Sequence, residues 1–327
     1  MAEHGEASFR RSDGGPGRGC PLSYRYGARA LSGLAPLQAD TLYVAGGLYG
    51  NVCALERLLA LYDAEPGDKT LLFNGDFHWF DVDAVDFRLV TQNVLAHSAT
   101  RGNVETELAQ PAADAGCGCG YPDWVGDAEV ARSNRILERL RAAAGPQPHL
   151  VASLGELPMY RVAEVGGVRI GIVHGDAESL AGWGFSQETL ATPEGAAAAR
   201  AAFDLARVRV FASSHTCLPV LQDFGAGRLI ANNGAAGMPN FRGTRFGLAT
   251  RISVSPSPRA LYAARAGGLH IEAVAIDYDA AAWRARFLRL WPEGTDAHAS
   301  YFARIEHGPR YELGQALRSQ RQPRAAA

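Results

Sequence analysis

The sequence predicts an α/β sandwich in which two β-sheets pack face to face with helices outside. Three observations carry this prediction. Apolar strand runs alternate with amphipathic helical stretches through the first half of the chain, strands dominate the second half, and strand after strand ends in a polar or glycine-rich cluster.

Residues 1–38, rich in Gly, Arg and Ser and without apolar periodicity, read as a disordered leader. The ordered part opens with a strand at 42–45, a glycine turn, and a helix from near Asn51 with Val52, Leu55, Leu58, Leu59 and Tyr62 along one face. A second βα unit begins at Thr70-Leu71-Leu72-Phe73 and ends in Asn74-Gly75-Asp76. It leads to a helix at 83–95, which Asp81 and Asp83 are placed to cap. A third strand, 97–101, stops at Gly102-Asn103. Residues 105–125 contain Cys117-Gly118-Cys119-Gly120-Tyr121-Pro122, too much glycine and proline for regular structure, and are expected to loop over the site.

A strong helix is expected at 127–144 with Asp127 as its N-cap. Residues 159–165 and 168–173 flank Gly166-Gly167 and read as a β-hairpin ending at His174-Gly175-Asp176. An alanine-rich helix at 193–206 precedes a strand at 208–212, which ends in Ser213-Ser214-His215-Thr216-Cys217. Further strands start near Leu229, Leu248 and His270, and a helix spans 280–290. No internal repeat and no linker divides this stretch, so the expected organisation is one domain over 39–292 with a C-terminal extension over 293–327.

At 327 residues and 47% hydrophobic content the chain can bury a large core. Lys and Arg number 32 against 34 Asp and Glu, a net charge of -2, which gives no electrostatic case for nucleic acid or an anionic membrane. Small partners are expected. No apolar run reaches the roughly 18 residues of a membrane helix, and the N-terminus lacks a basic-then-apolar signal, so the expected compartment is the cytoplasm. Five cysteines, an odd number, read as reduced thiols or metal ligands rather than a disulfide framework.

The polar strand ends form an ordered set: Gly46-Gly47-Leu48-Tyr49-Gly50-Asn51, Gly75-Asp76, Gly102-Asn103-Val104-Glu105, His174, and Ser214-His215-Thr216-Cys217, followed by Asn232-Asn233-Gly234-Ala235-Ala236-Gly237. Over roughly residues 40 to 240 this order resembles the signature of the calcineurin-like metallophosphoesterases: D-x-H-G-N, G-D, G-N-H-D/E, a lone His, G-H-x-H, and an N-P-G-S-x-G turn. The resemblance implies a four-layer αββα sandwich of two mixed β-sheets flanked by helices.

It also implies a reduced site. In the family, the first metal is held by the Asp and His of the opening block and the final His of the last; here those positions are Gly47, Tyr49 and Cys217. The family's second-metal ligands all have counterparts, in Asp76, Asn103, His174 and His215. Singly, Asp76 reads equally as a turn residue, Asn103 as half of a Gly-Asn turn, and each histidine as a core hydrogen-bonding group. Together they imply one divalent transition ion per chain, Mn, Fe or Zn.

The family histidine that assists the leaving group is Val104, so Tyr49, His78 and Glu105 stand as the catalytic candidates. The Tyr49 phenol is expected to project into the cleft near Asp76. Two readings of the cysteines stay open: Cys217, joined by Cys117 and Cys119, rebuilds a second metal site, or all three are ordinary thiols. Trp283, Trp291 and Tyr301 read as packing residues or a homodimer surface. The functional expectation is a phosphohydrolase acting on a small phosphate ester, phosphodiester or phosphoanhydride, with an inactive binder of a phosphorylated ligand as the alternative.

Overall fold

Burial along the strands decides the layering. In β2 (Thr41–Ala45), Leu42 and Val44 pack in one cluster and Tyr43 and Ala45 in another, so the strand is covered on both faces. The structure, a computed structural model, describes residues 15–112 and 114–318. After β1 (Leu37–Gln38) and β2 come α1 (Val52–Asp63), β3 (Lys69–Asn74), α2 (Ala84–Leu95), β4 (Ser98–Thr100), α3 (Asn103–Ala109), α4 (Asp127–Ala144) and α5 (Pro148–Gly155). The hairpin β5 (Tyr160–Val165) and β6 (Val168–Val173) follows, then α6 (Pro193–Ala206), β7 (Val210–Ser213), β8 (Val220–Gly225) and β9 (Arg228–Asn232). The chain closes with β10 (Gly247–Ser253), β11 (Ala260–Ala266), β12 (Leu269–Ile276), α7 (Ala280–Leu290), α8 (Asp296–His307), α9 (Leu313–Ala316) and β13 (Leu317–Arg318).

Two mixed sheets result, one in the order β1-β5-β6-β7-β9-β8-β13 and one in the order β11-β12-β10-β2-β3-β4. Leu42, Val44 and Leu72 from one meet Ile170, Ile172 and Val210 from the other, forming the central core. Helices α1, α2, α4 and α7 cover the outer face of the six-stranded sheet, and α6 covers the seven-stranded one. This is the expected four-layer sandwich. Strands β2, β3 and β4 run parallel, as do β6 and β7, so their carboxyl ends gather at one edge.

Buried amides tie the sheets together there. Asn74 Nδ2 donates to Val173 O at 2.8 Å, and Asn233 Nδ2 donates to Gly46 O and Leu248 O, each at 3.0 Å. A second buried network holds the opposite face of the six-stranded sheet. Arg251 pairs with Glu65 and Glu272, each at 2.7 Å, and the Tyr43 hydroxyl donates to Glu65 at 2.6 Å.

Several expectations need correction. The leader is ordered from residue 15: Tyr24 and Leu31 are buried, and Gly17 exchanges backbone bonds with Ala115 and Tyr121. Its aromatic and aliphatic residues are too sparse to show periodicity but suffice to dock on a finished fold. Residues 1–14 lie outside the described part. The 105–125 stretch begins inside α3, because Glu105 binds the Gly102 N–H as in a capping box and starts a helix ahead of the glycines. Gly126, not Asp127, caps α4, and Asp127 pairs with Arg18 of the leader instead. Strands β8 and β11 and helices α5 and α8 were not anticipated. β11 is an alanine-rich edge strand without β-branched residues, which leaves little strand signal. The expected C-terminal extension is integrated through α8, which packs on α4, and through β13, which pairs with β8.

Candidate metal centre

Glycine turns at the carboxyl ends of β3 and β4 bring the first two groups together. Gly75 has φ +74°, and a Cβ there would lie 2.5 Å from His174 Nδ1 and 2.7 Å from Gly102 Cα, so only glycine fits. Asp76 follows, also with a left-handed backbone at φ +53°. Glu105 holds this turn: its carboxylate accepts from the backbone N–H groups of Asp76 (2.8 Å), Phe77 (2.9 Å) and Gly102 (2.8 Å). It is fully buried and committed to the backbone, which removes it as a catalytic candidate.

Four donor atoms converge from the strand ends. His174 Nε2 lies 3.3 Å from Asp76 Oδ1, 3.2 Å from Asn103 Oδ1 and 3.2 Å from His215 Nδ1. Each orientation is fixed from behind. His174 Nδ1–H donates to Asn74 O at 2.8 Å, His215 Nε2–H donates to Cys119 O at 3.0 Å, and Asn103 Nδ2 donates to Cys117 O at 3.0 Å. With those hydrogens committed, the facing atoms are two imidazole lone pairs, an amide oxygen and a carboxylate oxygen. Four acceptors within contact distance require a positive charge among them, and a proton on His174 or a metal ion meets that need.

The electrostatics agree. Burial opposes ionisation of Asp76, but the His174 and His215 charges and bonds outweigh it and hold the carboxyl below its ordinary range. For His174, burial is likewise outweighed by Asp76, and the imidazole lies above its ordinary value. Burial, reinforced by the His174 charge, pushes His215 down to about 4, so its Nδ1 is a free lone pair near neutral pH. Among the described residues, Asp76, His174 and His215 are the group of His, Cys, Asp and Glu whose donors all lie within 4.8 Å. Two imidazoles and two oxygens suit a borderline divalent ion, so the residues present fit the implied metal.

The other half of the family's site is filled by protein. The Tyr49 ring lies over Gly47: a Cβ at Gly47 would stand 2.8 to 2.9 Å from the ring's Cε2, Cζ and hydroxyl oxygen. The Tyr49 hydroxyl then meets Cys217 Sγ at 2.8 Å. Burial raises the pKa of both groups, so phenol and thiol stay protonated. Cys119 is likewise held neutral by burial. Cys117 and Cys119 contribute carbonyls that orient Asn103 and His215, and among the described residues no thiol joins the converging donors, which agrees with the reading of these cysteines as ordinary thiols.

His78 does not reach this place. Its Nδ1 bonds Asp81 at 2.6 Å, its Nε2 bonds Thr91 at 3.1 Å, and its ring stacks on Phe87 at 4.2 Å in the apolar core. Asp83 alone caps α2.

A cavity of about 230 Å³ opens onto Tyr49, Asp76, Asn103 and His215. Its walls are largely aromatic, with Trp79, Tyr121, Trp183 and Tyr301, and Arg304 and Glu129 also line it. The cysteine loop therefore does lie over the site. Arg304 is anchored by Nε to Pro239 O at 2.9 Å and by Nη2 to Cys217 O at 2.7 Å. Tyr301 and Arg304 come from α8, in the part read as an extension, and both line the cavity. Trp183 Nε1 donates to Cys119 O at 3.0 Å, and its ring lies 5.6 Å from His215. Sequence reasoning missed Tyr121, Trp183 and Arg304; the signal for the first two was aromatic residues amid glycine and proline in loops, and Arg304, on α8, had none.

No family model and no curated protein matches the sequence at a significant level. Among solved structures, the chain resembles a hypothetical protein from Pyrococcus horikoshii, with a TM-score of 0.55, 15% identity, and coverage of 83% of this chain and 99% of that one. It also resembles a metallophosphoesterase from Sphaerobacter thermophilus, with a TM-score of 0.48, 18% identity, and coverage of 76% and 93%. Likeness at such identities speaks to the fold. Among the described residues, no helix is long and apolar enough to cross a membrane. The fold, shared with the Pyrococcus horikoshii protein, is the sandwich of two mixed sheets flanked by helices that the resemblance to the calcineurin-like metallophosphoesterases implies.

Proposed function

We propose that the chain is a metal-dependent phosphohydrolase that uses one divalent transition ion, Mn, Fe or Zn, on a small phosphate ester, phosphodiester or phosphoanhydride. The observation that supports this reading is the convergence of Asp76 Oδ1, Asn103 Oδ1, His174 Nε2 and His215 Nδ1 as acceptors, with the two imidazoles and the amide oriented from behind and with Asp76, Asn103 and His215 open to a cavity. An ion held there supplies Lewis acidity to a phosphate oxygen and lowers the pKa of a water.

The chain's own residues do the rest. Arg304, fixed by two carbonyls, supplies a positive charge in the cavity wall for the phosphate. The Tyr49 phenol, held protonated, is a hydrogen-bond donor and not a base. The aromatic walls exclude water and receive the organic group. With Val104 in place of a histidine and Glu105 and His78 engaged elsewhere, the one sequence candidate left to protonate a leaving group is the Tyr49 phenol, a weak acid made weaker by burial. Substrates with acidic leaving alcohols, or anhydrides, follow from that.

The same weakness supports a second reading, a receptor that binds a phosphorylated ligand without turnover. Metal-loaded protein tested on phosphomonoesters, phosphodiesters and phosphoanhydrides separates the two. Hydrolysis abolished by His215→Ala supports the enzyme, whereas tight binding without any hydrolysis supports the receptor.

A further inference from the structure

We infer that the chain carries a second ligand site, for a small anion bearing two or more phosphates, at the edge of the seven-stranded sheet opposite the metal centre. A cavity of about 430 Å³ there is lined by Arg169, Arg207 and Arg209 together with residues of three hairpin turns, Gly167-Val168, Ala226-Gly227 and Gly267. No carboxylate is in its wall.

The fold forces the arginines together. The residue pairs Ile170–Val210 and Gly171–Phe211 fix β6 and β7 in parallel register, and the Arg209 N–H donates to Arg169 O at 3.0 Å, so the two residues lie side by side on neighbouring strands. The side chains of Ile170 and Val210 enter the central core, which sends those of Arg169 and Arg209 to the other face. Arg207 joins them from the C-cap of α6, where its left-handed backbone turns the chain into β7. The turns close the rim: a Cβ on Gly227 would lie 3.2 Å from Gly267 N, and one on Gly267 would lie 3.0 Å from Val168.

Like charges on adjacent strands repel unless something neutralises them. Some arginines elsewhere in the chain are neutralised in this way. Arg132, Arg141, Arg228, Arg251 and Arg286 all have carboxylate partners. Among the described residues none of the three pocket arginines is ion-paired. Glu164 stands across from Arg169 on β5 without an ion pair, and the nearby Asp204 is held by Arg228. Arg169 Nη2 reaches the Leu31 and Leu34 carbonyls, and Arg209 Nη1 reaches Ala226 O, while the buried Arg169 Nε has no hydrogen-bond partner. Three guanidinium groups around a concave space match the oxygens of a di- or triphosphate. The pocket lies at the start of β6 and His174 just past its end, about 20 Å away at the rise of a strand. It is therefore separate from the metal centre, and the inference does not depend on the function proposed for that centre.

The test is calorimetric titration of the full chain with inorganic tripolyphosphate in the presence of a metal chelator. Saturable binding is expected that weakens at least about tenfold in Arg207→Glu/Arg209→Glu, weakens with added salt, and is unchanged in His215→Ala. ATP should bind no more tightly than tripolyphosphate, because the wall has no aromatic residue to stack a base. Arg207→Ala, at an exposed position, replaces the double variant if that one melts abnormally, with roughly threefold weakening expected. Binding that is lost in His215→Ala but kept in the arginine variants, or no saturable binding up to about 1 mM, overturns the inference.

Discussion

The hydroxyl of Tyr49 meets the thiol of Cys217 at 2.8 Å, and both residues stand where the resemblance places metal ligands. Gly47, the third such position, provides the space in which the Tyr49 ring lies. The three substitutions are thus one packed unit. Without a side chain at 47 the ring can fold over the turn, and its hydroxyl then satisfies the buried thiol.

This makes the triad testable by reversal. Gly47→Asp alone should destabilise the protein by about 1 to 3 kcal/mol, since its Cβ meets the ring and its φ is +68°. Combining it with Tyr49→His and Cys217→His should recover the part of that stability lost to the ring contact, leave the part due to the positive φ, and add a second ion. Thermal melting and metal analysis of both variants read this out. A Gly47→Asp protein as stable as the parent would show that the ring does not fill the site.

Glu105 is assigned to the backbone rather than to chemistry. Glu105→Ala leaves three buried N–H groups without their acceptor and should cost about 3 to 5 kcal/mol in denaturant unfolding. Were Glu105 a general acid, Glu105→Gln would instead lower kcat and leave the unfolding midpoint in place.

Acid should act through Glu65. Burial raises its pKa, but the hydrogen bonds from Arg251 and Tyr43 outweigh this and leave it below the ordinary 4.5. A depressed carboxyl contributes stability that is present above its unfolded pKa and is lost as pH falls through the folded one. The melting temperature should therefore drop as pH falls below about 4.5, and Glu65→Gln should flatten that part of the profile. Parallel acid profiles for the two proteins would contradict the assignment.

The aromatic wall should select substrates. The Trp183 ring lies 6.0 Å from Tyr121 and 5.6 Å from His215. Trp183→Ala is expected to raise KM about tenfold for an aryl phosphodiester, and clearly less for a methyl ester. Equal effects on both would mean that the ring does not contact the organic group.

Much of this was legible in the sequence because strands that end in polar residues announce themselves. The β3 run ending at Asp76 and the β6 run ending at His174 are strongly apolar, and the chemistry follows the last buried residue. Helices α4, α6 and α7 have the predicted ends because their periodicity is long and their neighbours break helices. Direction was not legible at short range. His78 lies two residues past Asp76, yet its turn sends it into the core, where Asp81 and Thr91 hold both nitrogens. Nor was the contribution of distant segments. Arg304 and Tyr301 reach the cavity because α8 packs on α4, a contact between stretches with no local pattern in common. The role of the cysteine loop lies in its carbonyls, which every sequence has.

The proposed metal centre holds a single ion through Asp76, Asn103, His174 and His215. Elemental analysis of the purified protein, after loading with Mn, Fe or Zn and removal of free ion, tests it most directly. About one ion per chain is expected, lost in His174→Ala and retained in Cys217→Ser. Two ions per chain, or an occupancy unchanged in His174→Ala, would contradict it.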